Sequence, residues 1–234
     1  VVGIERGERV MGVTKFGGYT TLLNHDARYL VKLPDSWSFE EGAAYLVQVL
    51  TAYYAISYLG QAQKGQTILI HSGAGGVGLM ALAIARNLGL YCIGSTSSKE
   101  KLDFMIERGY DAAITRVQTF STQLQNALDG KDLDLILECI GGKILKEGFD
   151  MLAPMGRMVV YGSAHFASPG NRPNYFHLLW NYLRRPLIDP LKLPEQNKSL
   201  LGVNLIWLYV RVELMHQMLD ELSRMEMGPP IVGH

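Results

Sequence analysis

The sequence has few of the features that mark several common classes of protein. It contains only two cysteines in 234 residues, and its 22 basic and 22 acidic side chains give a formal net charge of zero. Two cysteines without a C-x-x-C pair argue against a disulfide framework and suit a reducing compartment. Balanced charge without clusters of Lys and Arg argues against nucleic acid as a partner.

Long hydrophobic runs are also scarce. The longest apolar stretch, residues 200–210, contains Asn204 and is shorter than the roughly 20 residues that span a bilayer. The N-terminal residues VVGIERGERV do not show the basic-then-apolar layout of a signal peptide. These absences predict a soluble protein without a transmembrane segment, with the cytoplasm as its location.

A glycine-rich turn in QTILIHSGAGGVG, residues 66–78, is the most informative motif that is present. Gly73, Gly75 and Gly78 fit the spacing G-x-G-x-x-G, in which the glycines permit a tight turn, approach to a pyrophosphate and helix packing, respectively. The amides of the following helix would then face the anion. A plain strand-to-helix turn is the alternative, and the motif favours a nucleotide site.

Strands and helices alternate from Gln66 to Gly162. The apolar strand candidates are TILIH, YCIGST, AAIT, DLILEC and RMVVYG. Helices are predicted between them at 77–88, 98–108, 119–128 and 143–152. Near-continuous apolar strands separated by helices are typical of a parallel sheet covered on both faces, so we predict an α/β fold with a doubly wound parallel (Rossmann) sheet.

The flanking segments follow other patterns. Residues 1–33 predict two or three short strands, and residues 36–58 predict a largely buried helix that begins with a capping box of Ser38 and Glu41. Residues 163–198 interrupt the alternation with Pro, Asn, Arg and aromatic side chains and are predicted to be partly helical. A strand at 199–207 and a helix at 210–225 are expected after them.

Several motifs resemble the medium-chain dehydrogenase/reductase superfamily, in its zinc-free quinone-oxidoreductase-like division. They are GERV at 7–10, LPDSWSFEEGAA at 33–44, LTAYYA at 50–55, HSGAGGVG at 71–78, DLILECIGG at 134–142 and LAPMGRMVVYG at 152–162. The segment 189–208 is similar to the branch that contains the vesicle amine transport protein. The resemblance implies three parts: the C-terminal part of an incomplete GroES-like β-rich catalytic domain at 1–44, an NADP-binding Rossmann domain at 45–208, and a C-terminal helix that starts the return to the catalytic domain at 209–234.

The residues after the second strand of the alternation favour NADPH over NADH. An Asp or Glu that would accept bonds from the ribose 2′-hydroxyl is replaced by small hydroxyl residues followed by lysines, in GSTSSKEK at 94–101. By resemblance, Ser97 and Lys101 match positions that hold the 2′-phosphate, and Arg116 falls where a tyrosine is common. The alternative is that these cations, with Lys99, are solvated charges at helix edges.

The resemblance also implies the remaining cofactor contacts. Ala74, Gly75, Gly76 and Val77 would hold the pyrophosphate. Thr51 and Gly162 would border the nicotinamide, and the loop Ile140-Gly141-Gly142 would pass beside its ribose.

No metal site and no catalytic residue is assigned from the sequence. Zinc-dependent relatives would take a ligand from the helix around residues 46–49, where only Gln48 is polar, so we predict a zinc-free protein. The histidines, including His71, are scattered singly and are read as structural. Tyr53, Tyr54 and Cys139 are read as packed side chains rather than as a general acid or a nucleophile.

The expected function is hydride transfer from NADPH to a quinone, enone or similar activated alkene. A related hypothesis is a reductase of unsaturated acyl thioesters. An alternative from another functional class is a non-catalytic NADPH-binding protein that acts through vesicle, lipid or protein association. The aromatic segment 171–186 offers a surface for such peripheral membrane contact, and the other interpretation of this segment is that it covers the cofactor cleft. A homodimer joined through the strand at 199–207 is also expected, because an edge strand is open to pairing.

Overall fold

The computed structural model describes residues 3–117, 119–167, 174–225 and 227–232. In these residues six strands form one parallel sheet, and two short strands pair antiparallel beside it. The strands are β1 Val10–Gly12, β2 Leu30–Lys32, β3 Thr67–His71, β4 Tyr91–Thr96, β5 Ala112–Thr115, β6 Leu135–Glu138, β7 Arg157–Val160 and β8 Ser199–Gly202. The helices are α1 Phe39–Tyr53, α2 Gly76–Asn87, α3 Leu102–Glu107, α4 Phe120–Leu128, α5 Gly142–Met151, α6 Tyr175–Leu183, α7 Lys192–Gln196 and α8 Val212–Leu222.

The large sheet has the order β5-β4-β3-β6-β7-β8, and every neighbouring pair is parallel. The chain therefore winds outward from β3 to one edge, returns, and winds outward from β6 to the other. This order confirms the doubly wound α/β prediction. Ligands of such sheets bind beyond the carboxyl ends of the strands at the point of reversal, here between β3 and β6.

Two apolar cores cover the two faces of this sheet. In β3, Ile68 and Ile70 pack into a core with α1, α2 and α8, whereas Leu69 packs into a second core with α4 and α5. Alternate residues of a strand point to opposite faces, so a strand that is apolar throughout needs both layers. This explains why the strand candidates read as continuous apolar runs.

Helix α1 forms much as the sequence predicts. Ser38 Oγ accepts from Glu41 N and the Glu41 carboxylate accepts from Ser38 N, which confirms the capping box. The helix continues as a π-helical turn at Tyr54–Leu59. The hydroxyls of Tyr53 and Tyr58 donate to Glu221 of α8 at 2.9 and 3.1 Å, which attaches α8 to α1.

Three segments differ from the sequence predictions in length. The strand predicted at 199–207 ends at Gly202, because Asn204 Oδ1 accepts from Ile206 N and starts a 3-10 turn at Leu205–Leu208. The helix predicted at 98–108 begins as a 3-10 turn at Lys99–Lys101 before α3. The segment 163–198 contains α6 and α7, which confirms that it is partly helical, although residues 168–173, including the start of the aromatic segment, lie outside the described residues.

The predicted domain boundary at 44/45 falls inside α1, which contacts both β1 and α2. Cys92 lies buried in β4 as expected. Cys139 was predicted inside a strand, but β6 ends at Glu138 and Cys139 is only partly buried. No helix in the described residues is both long and apolar enough to cross a membrane.

Candidate functional site

The glycine-rich turn joins β3 to α2 at the carboxyl end of the sheet. Gly73 N donates to Ser95 O at 3.0 Å, and Gly75 N donates to Ser72 O at 2.8 Å. A Cβ atom on Gly78 would lie 2.5 Å from Ser72 O and 2.8 Å from Gly73 Cα. Both are backbone atoms, so a side chain at Gly78 would push the helix away from the turn. The third glycine has the packing role that its spacing predicts.

Helix α2 begins without a side-chain cap. Its N-cap residue is the exposed Gly75, so the first-turn amides of Gly76 and Val77 have neither an intrahelical acceptor nor a capping oxygen. The positive end of the helix dipole lies at the same place. Gln48 of α1 lies against Gly76, and its buried Oε1 has no hydrogen-bond partner among the described residues. The free amides of Gly76 and Val77 fit a cofactor pyrophosphate, whereas the Gln48 oxygen is an acceptor and contributes nothing to an anion site.

Tyr110 contacts the backbone of this turn. Its buried hydroxyl lies 3.0 Å from Gly73 O and 3.1 Å from Gly78 O, and burial raises its pKa well above the usual value. A Cβ atom on Gly73 would meet this hydroxyl at 2.9 Å. Tyr110 was missed by the sequence analysis, because nothing local to it marks a contact with a turn more than 30 residues away.

The residues expected at a 2′-phosphate follow the paired strands β4 and β5. The side chains of Ser97 and Lys101 are exposed and make no hydrogen bond or ion pair with the described part of the chain. Arg116 follows β5, and its Nη1 donates to Ser95 O at 2.8 Å and to Ser95 Oγ at 3.2 Å. Glu100, which precedes Lys101 in the sequence, accepts from the Ser98 hydroxyl, and this contact lowers the pKa of Glu100.

An apolar cavity of about 430 Å³ opens beside the other end of the glycine turn. Thr51, Val77 and Tyr161 line it together with side chains of the 3-10 turn at Leu205–Leu208 and of α8. The polar lining side chains are Thr14, Lys15, Thr51, Asn204, Arg211 and the tyrosines Tyr29, Tyr161 and Tyr209. Thr51 Oγ1 donates to Val47 O at 2.7 Å, so the hydroxyl presents its lone pairs rather than its proton.

The loop after β6 lies at the same end of the site. Gly141 and Gly142 have positive φ angles of 84° and 58°, a conformation that favours glycine. The His165 ring packs against both, since a Cβ atom on Gly141 would lie 2.6 Å from its Nδ1. Gly162 packs against Cys139 at 3.1 Å from the ideal Cβ position. The structure thus brings Ile140 and Gly162 to one place, and it adds His165, which the sequence analysis read as structural.

Four polar side chains form a row beneath this site, at the ends of four adjacent strands. Ser95 Oγ lies 2.6 Å from His71 Nδ1, and His71 Nε2 lies 3.2 Å from Glu138 Oε2. Glu138 Oε1 accepts from the amides of Ile140 and Gly141. With Arg116 on Ser95, these contacts define what we call the polar relay: Arg116, Ser95, His71 and Glu138.

The relay is buried, and burial sets its protonation. His71, Ser95 and Glu138 are each 0% exposed. Burial and, to a smaller extent, the positive charge of Arg116 lower the pKa of His71 to about 3, so His71 is neutral at pH 7. Burial raises the pKa of Glu138, against the effect of the two loop amides and Arg116. His71 thus belongs to a buried network that the sequence did not reveal.

The described residues contain no group of three or more His, Cys, Asp or Glu side chains placed to hold a metal ion. At the position in α1 where zinc-dependent relatives would supply a ligand, Gln48 is the polar side chain and it faces the glycine turn. The described residues therefore do not place a ligand set for a catalytic zinc.

Comparison with known proteins identifies related chains. Residues 76–185 match the family described as zinc-binding dehydrogenase. The chain is 28% identical over 216 residues to the mouse synaptic vesicle membrane protein VAT-1 homolog. This alignment covers 92% of the chain and 53% of the mouse protein. It is 35% identical over 167 residues to mycoketide-CoA synthase of Mycobacterium tuberculosis, covering 70% of this chain and 4% of the synthase. The chain thus spans about half the length of its VAT-1 relatives.

Solved structures share the fold. The quinone oxidoreductase of Thermus thermophilus, also determined as a complex with NADPH, superposes with a TM-score of 0.79 at 29% identity, covering 98% of this chain and 69% of that one. The human VAT-1 homolog-like protein superposes with a TM-score of 0.75 at 22% identity, covering 95% of this chain and 60% of that one. The motifs, the sheet order and these relatives agree, and the chain belongs to the medium-chain dehydrogenase/reductase superfamily, close to its VAT-1 branch.

Proposed function

We propose that this chain forms the NADPH site of an oxidoreductase that reduces a quinone, enone or similar activated alkene without zinc. The observation that carries the proposal is the turn at Gly73–Gly78. Its uncapped amides lie at the same end of the sheet as Lys101 and Arg116 and next to an apolar cavity that Val77 lines. A dinucleotide needs both: an anion site for its phosphates and a water-poor pocket for its reacting ring. The NADPH complex of the Thermus thermophilus relative supports the choice of cofactor.

Each predicted contact has a role in this proposal. Ala74, Gly75, Gly76 and Val77 bind the pyrophosphate through backbone amides. Ile140 and its loop position the nicotinamide ribose, and Thr51 and Gly162 border the ring. NADPH, when bound, supplies the hydride.

The preference for NADPH rests on charge. Lys101 is exposed and has no acidic partner among the described residues, so its charge is available to a 2′-phosphate. Arg116 uses Nη1 for Ser95, which leaves the rest of its guanidinium for the same group. Glu100 is the competing feature, since its ionised carboxylate would accept from a ribose 2′-hydroxyl and repel a phosphate.

The cavity supports an apolar substrate. Val77, Leu205 and Met215 are among its lining residues, and such walls exclude water from the reacting atoms. The chain's own contribution to the reaction is then to orient the ring, hold the substrate against it and keep water out. No described side chain is assigned as a proton donor.

Binding and turnover test the proposal in the full-length protein. NADPH oxidation should be followed with a panel of quinones and enones, and the Kd of NADPH and of NADH should be measured by titration. We expect Lys101→Glu to weaken NADPH about tenfold or more, as one charge-assisted contact is replaced by repulsion, and to change NADH less than threefold. The matched control is Lys131→Glu on the far side of the sheet, where the lysine lies near Asp129 and Tyr91. Equal or tighter binding of NADH by the unmodified protein would refute the cofactor choice.

A second candidate is a non-catalytic NADPH-binding protein that acts through vesicle, lipid or protein association. The observation that favours it is the exposed apolar surface of α6, where Phe176, Leu179, Trp180 and Leu183 all face solvent. Arg184 and Arg185 stack on Trp180 and Tyr182 at its end, 4.1 and 3.8 Å from the ring centroids. NADPH binding without turnover, together with sedimentation on anionic vesicles that Trp180→Ser abolishes, would favour this candidate over the reductase.

Three further expectations remain proposals. A homodimer would use β8, which ends the sheet order in the described residues, and sedimentation of a Leu201→Pro variant would test it. The division into domains at 44/45 and 208/209 would be tested by limited proteolysis. A cytoplasmic location would be tested by fractionation.

A further inference from the structure

The polar relay crosses the whole width of the proposed cofactor site. Arg116, Ser95, His71 and Glu138 stand at the ends of β5, β4, β3 and β6, which are neighbours in that order. Arg116 lies at the end where a 2′-phosphate is expected. Glu138 accepts from the loop amides of Ile140 and Gly141 at the nicotinamide end. The row therefore connects the two ends of one ligand site.

The hydrogen-bonding capacity of each group fixes the direction of the relay. A neutral His71 has one N–H group. If Glu138 is ionised, this proton lies on Nε2 and faces Glu138, Nδ1 accepts from the Ser95 hydroxyl, and Ser95 Oγ accepts from Arg116. If Glu138 is protonated, it donates to Nε2, Nδ1–H donates to Ser95, and the buried Ser95 hydroxyl proton loses its acceptor. The first arrangement gives the Ser95 hydroxyl an acceptor and points the Nε2 proton at the Glu138 carboxylate, 3.2 Å away. The second leaves the buried Ser95 hydroxyl without an acceptor, and an unsatisfied buried donor costs about 1–3 kcal/mol.

Charge compensation links the two ends of this arrangement. An ionised carboxylate that is fully buried needs a counter-charge, and Arg116 is the cation of the relay whose charge lowers the pKa of Glu138. The cation thus supports the ionised form of Glu138, which in turn is the stronger acceptor for the two loop amides. The contact between His71 Nε2 and Glu138 Oε2 is the weak link, because the atoms lie 3.2 Å apart without the alignment of a full hydrogen bond.

We propose that the polar relay positions the loop Ile140–Gly142 according to the engagement of Arg116, so that recognition of the 2′-phosphate and placement of the nicotinamide ribose are coupled. The four are positioning residues, and Ile140 and its neighbours make the contact. The inference rests on the proposed NADPH site for its ligand. The relay itself is a property of the free protein and can be examined without any cofactor.

The first measurement therefore uses the free full-length protein. Selective ¹⁵N-histidine labelling reports by NMR which ring nitrogen of His71 carries the proton. We expect Nε2–H in the unmodified protein and a shift toward Nδ1–H in Arg116→Met, because Glu138 then takes up a proton. Arg116→Lys should retain Nε2–H. An unchanged His71 signal in Arg116→Met would overturn the relay, whatever the protein binds.

The second measurement is a double-mutant cycle on cofactor affinity. Ser95→Ala breaks the row and should weaken NADPH about tenfold, with a smaller effect on NADH. Glu138→Gln keeps the shape but not the charge, and should weaken both cofactors. The affinity of the double variant should fall by less than the product of the two single losses, since substitutions within one network have non-additive effects. Cys92→Ala, a buried change in the same strand, is the control and should leave both affinities within about twofold.

The outcomes separate the two proposals. If the loss of NADPH affinity in the double variant equals the product of the two single losses to within about twofold, the coupling is overturned while the proposed NADPH site stands. Equal losses of NADPH and NADH in Ser95→Ala would also overturn it. If the unmodified protein binds neither cofactor, the proposed function fails and the coupling fails with it, while the NMR result still decides whether the four side chains act as one row.

Discussion

Alanine substitutions at two glycines of the turn distinguish an effect on stability from an effect on cofactor binding. A Cβ atom on Gly78 would lie 2.5 Å from Ser72 O and 2.8 Å from Gly73 Cα, whereas one on Gly75 would meet only Ser72 O, at 3.2 Å. Gly75 is exposed and has a negative φ of −88°, which alanine adopts freely. Gly78→Ala should therefore distort the turn, and Gly75→Ala should add a methyl group that mainly faces the ligand.

The magnitudes follow from these distances. Overpacking against backbone atoms costs typically about 1–3 kcal/mol, so the free energy of unfolding of Gly78→Ala should fall by that amount. For Gly75→Ala the single contact yields by a few tenths of an ångström, and the loss should stay below about 1 kcal/mol. The methyl group at Gly75 would displace the pyrophosphate, and we expect NADPH to bind at least tenfold more weakly, which is about 1.4 kcal/mol.

The assay combines urea unfolding with NADPH titration of the same full-length variants. Gly18→Ala is the matched control, because its Cβ atom would meet only Thr14 Cγ2 at 3.9 Å and its stability should stay unchanged or rise slightly. The reasoning is refuted if Gly75→Ala binds NADPH as tightly as the unmodified protein, or if Gly78→Ala is as stable as Gly18→Ala.

Three further predictions use other parts of the site. The pKa of buried His71 is lowered from 6.5 to about 3, so the unfolded chain binds a proton that the folded chain does not, and the free energy of unfolding should fall as the pH drops below about 6.5. In urea unfolding at pH 7 and pH 5, His71→Asn should reduce this pH dependence. The control His216→Asn should leave it unchanged. Val47→Trp places bulk at the mouth of the cavity from an exposed position; it should lower kcat/KM about tenfold for a bulky enone while the Kd of NADPH changes less than threefold, and equal loss for small and bulky substrates would contradict a steric role. Elemental analysis of the purified full-length protein should find less than about 0.1 zinc per chain, because the described residues offer no ligand set; one zinc per chain would show that ligands come from elsewhere.

The sequence by itself determined the fold class and the position of the cofactor turn. The periodicity of apolar residues in the helices and the continuous apolar runs in the strands specify a parallel sheet with helices on both faces, because strands such as TILIH are buried between two cores. The spacing of Gly73, Gly75 and Gly78 is a largely local signal. Gly75 and Gly78 lie against Ser72 and Gly73 of the same turn, and Gly73 alone of the three packs against distant side chains, those of Met105 and Tyr110. The capping box of Ser38 and Glu41 is local in the same sense.

Only the tertiary structure decided which distant side chains meet. Tyr110 reaches the glycine turn, and His71, Ser95, Arg116 and Glu138 form one row, because the order β5-β4-β3-β6 places their strand ends side by side. Strand order depends on packing across the sheet and leaves no trace in the spacing of these residues. The end of β8 at Gly202 was likewise set by a competing turn at Asn204, where one side-chain hydrogen bond outweighs the apolar pattern that follows.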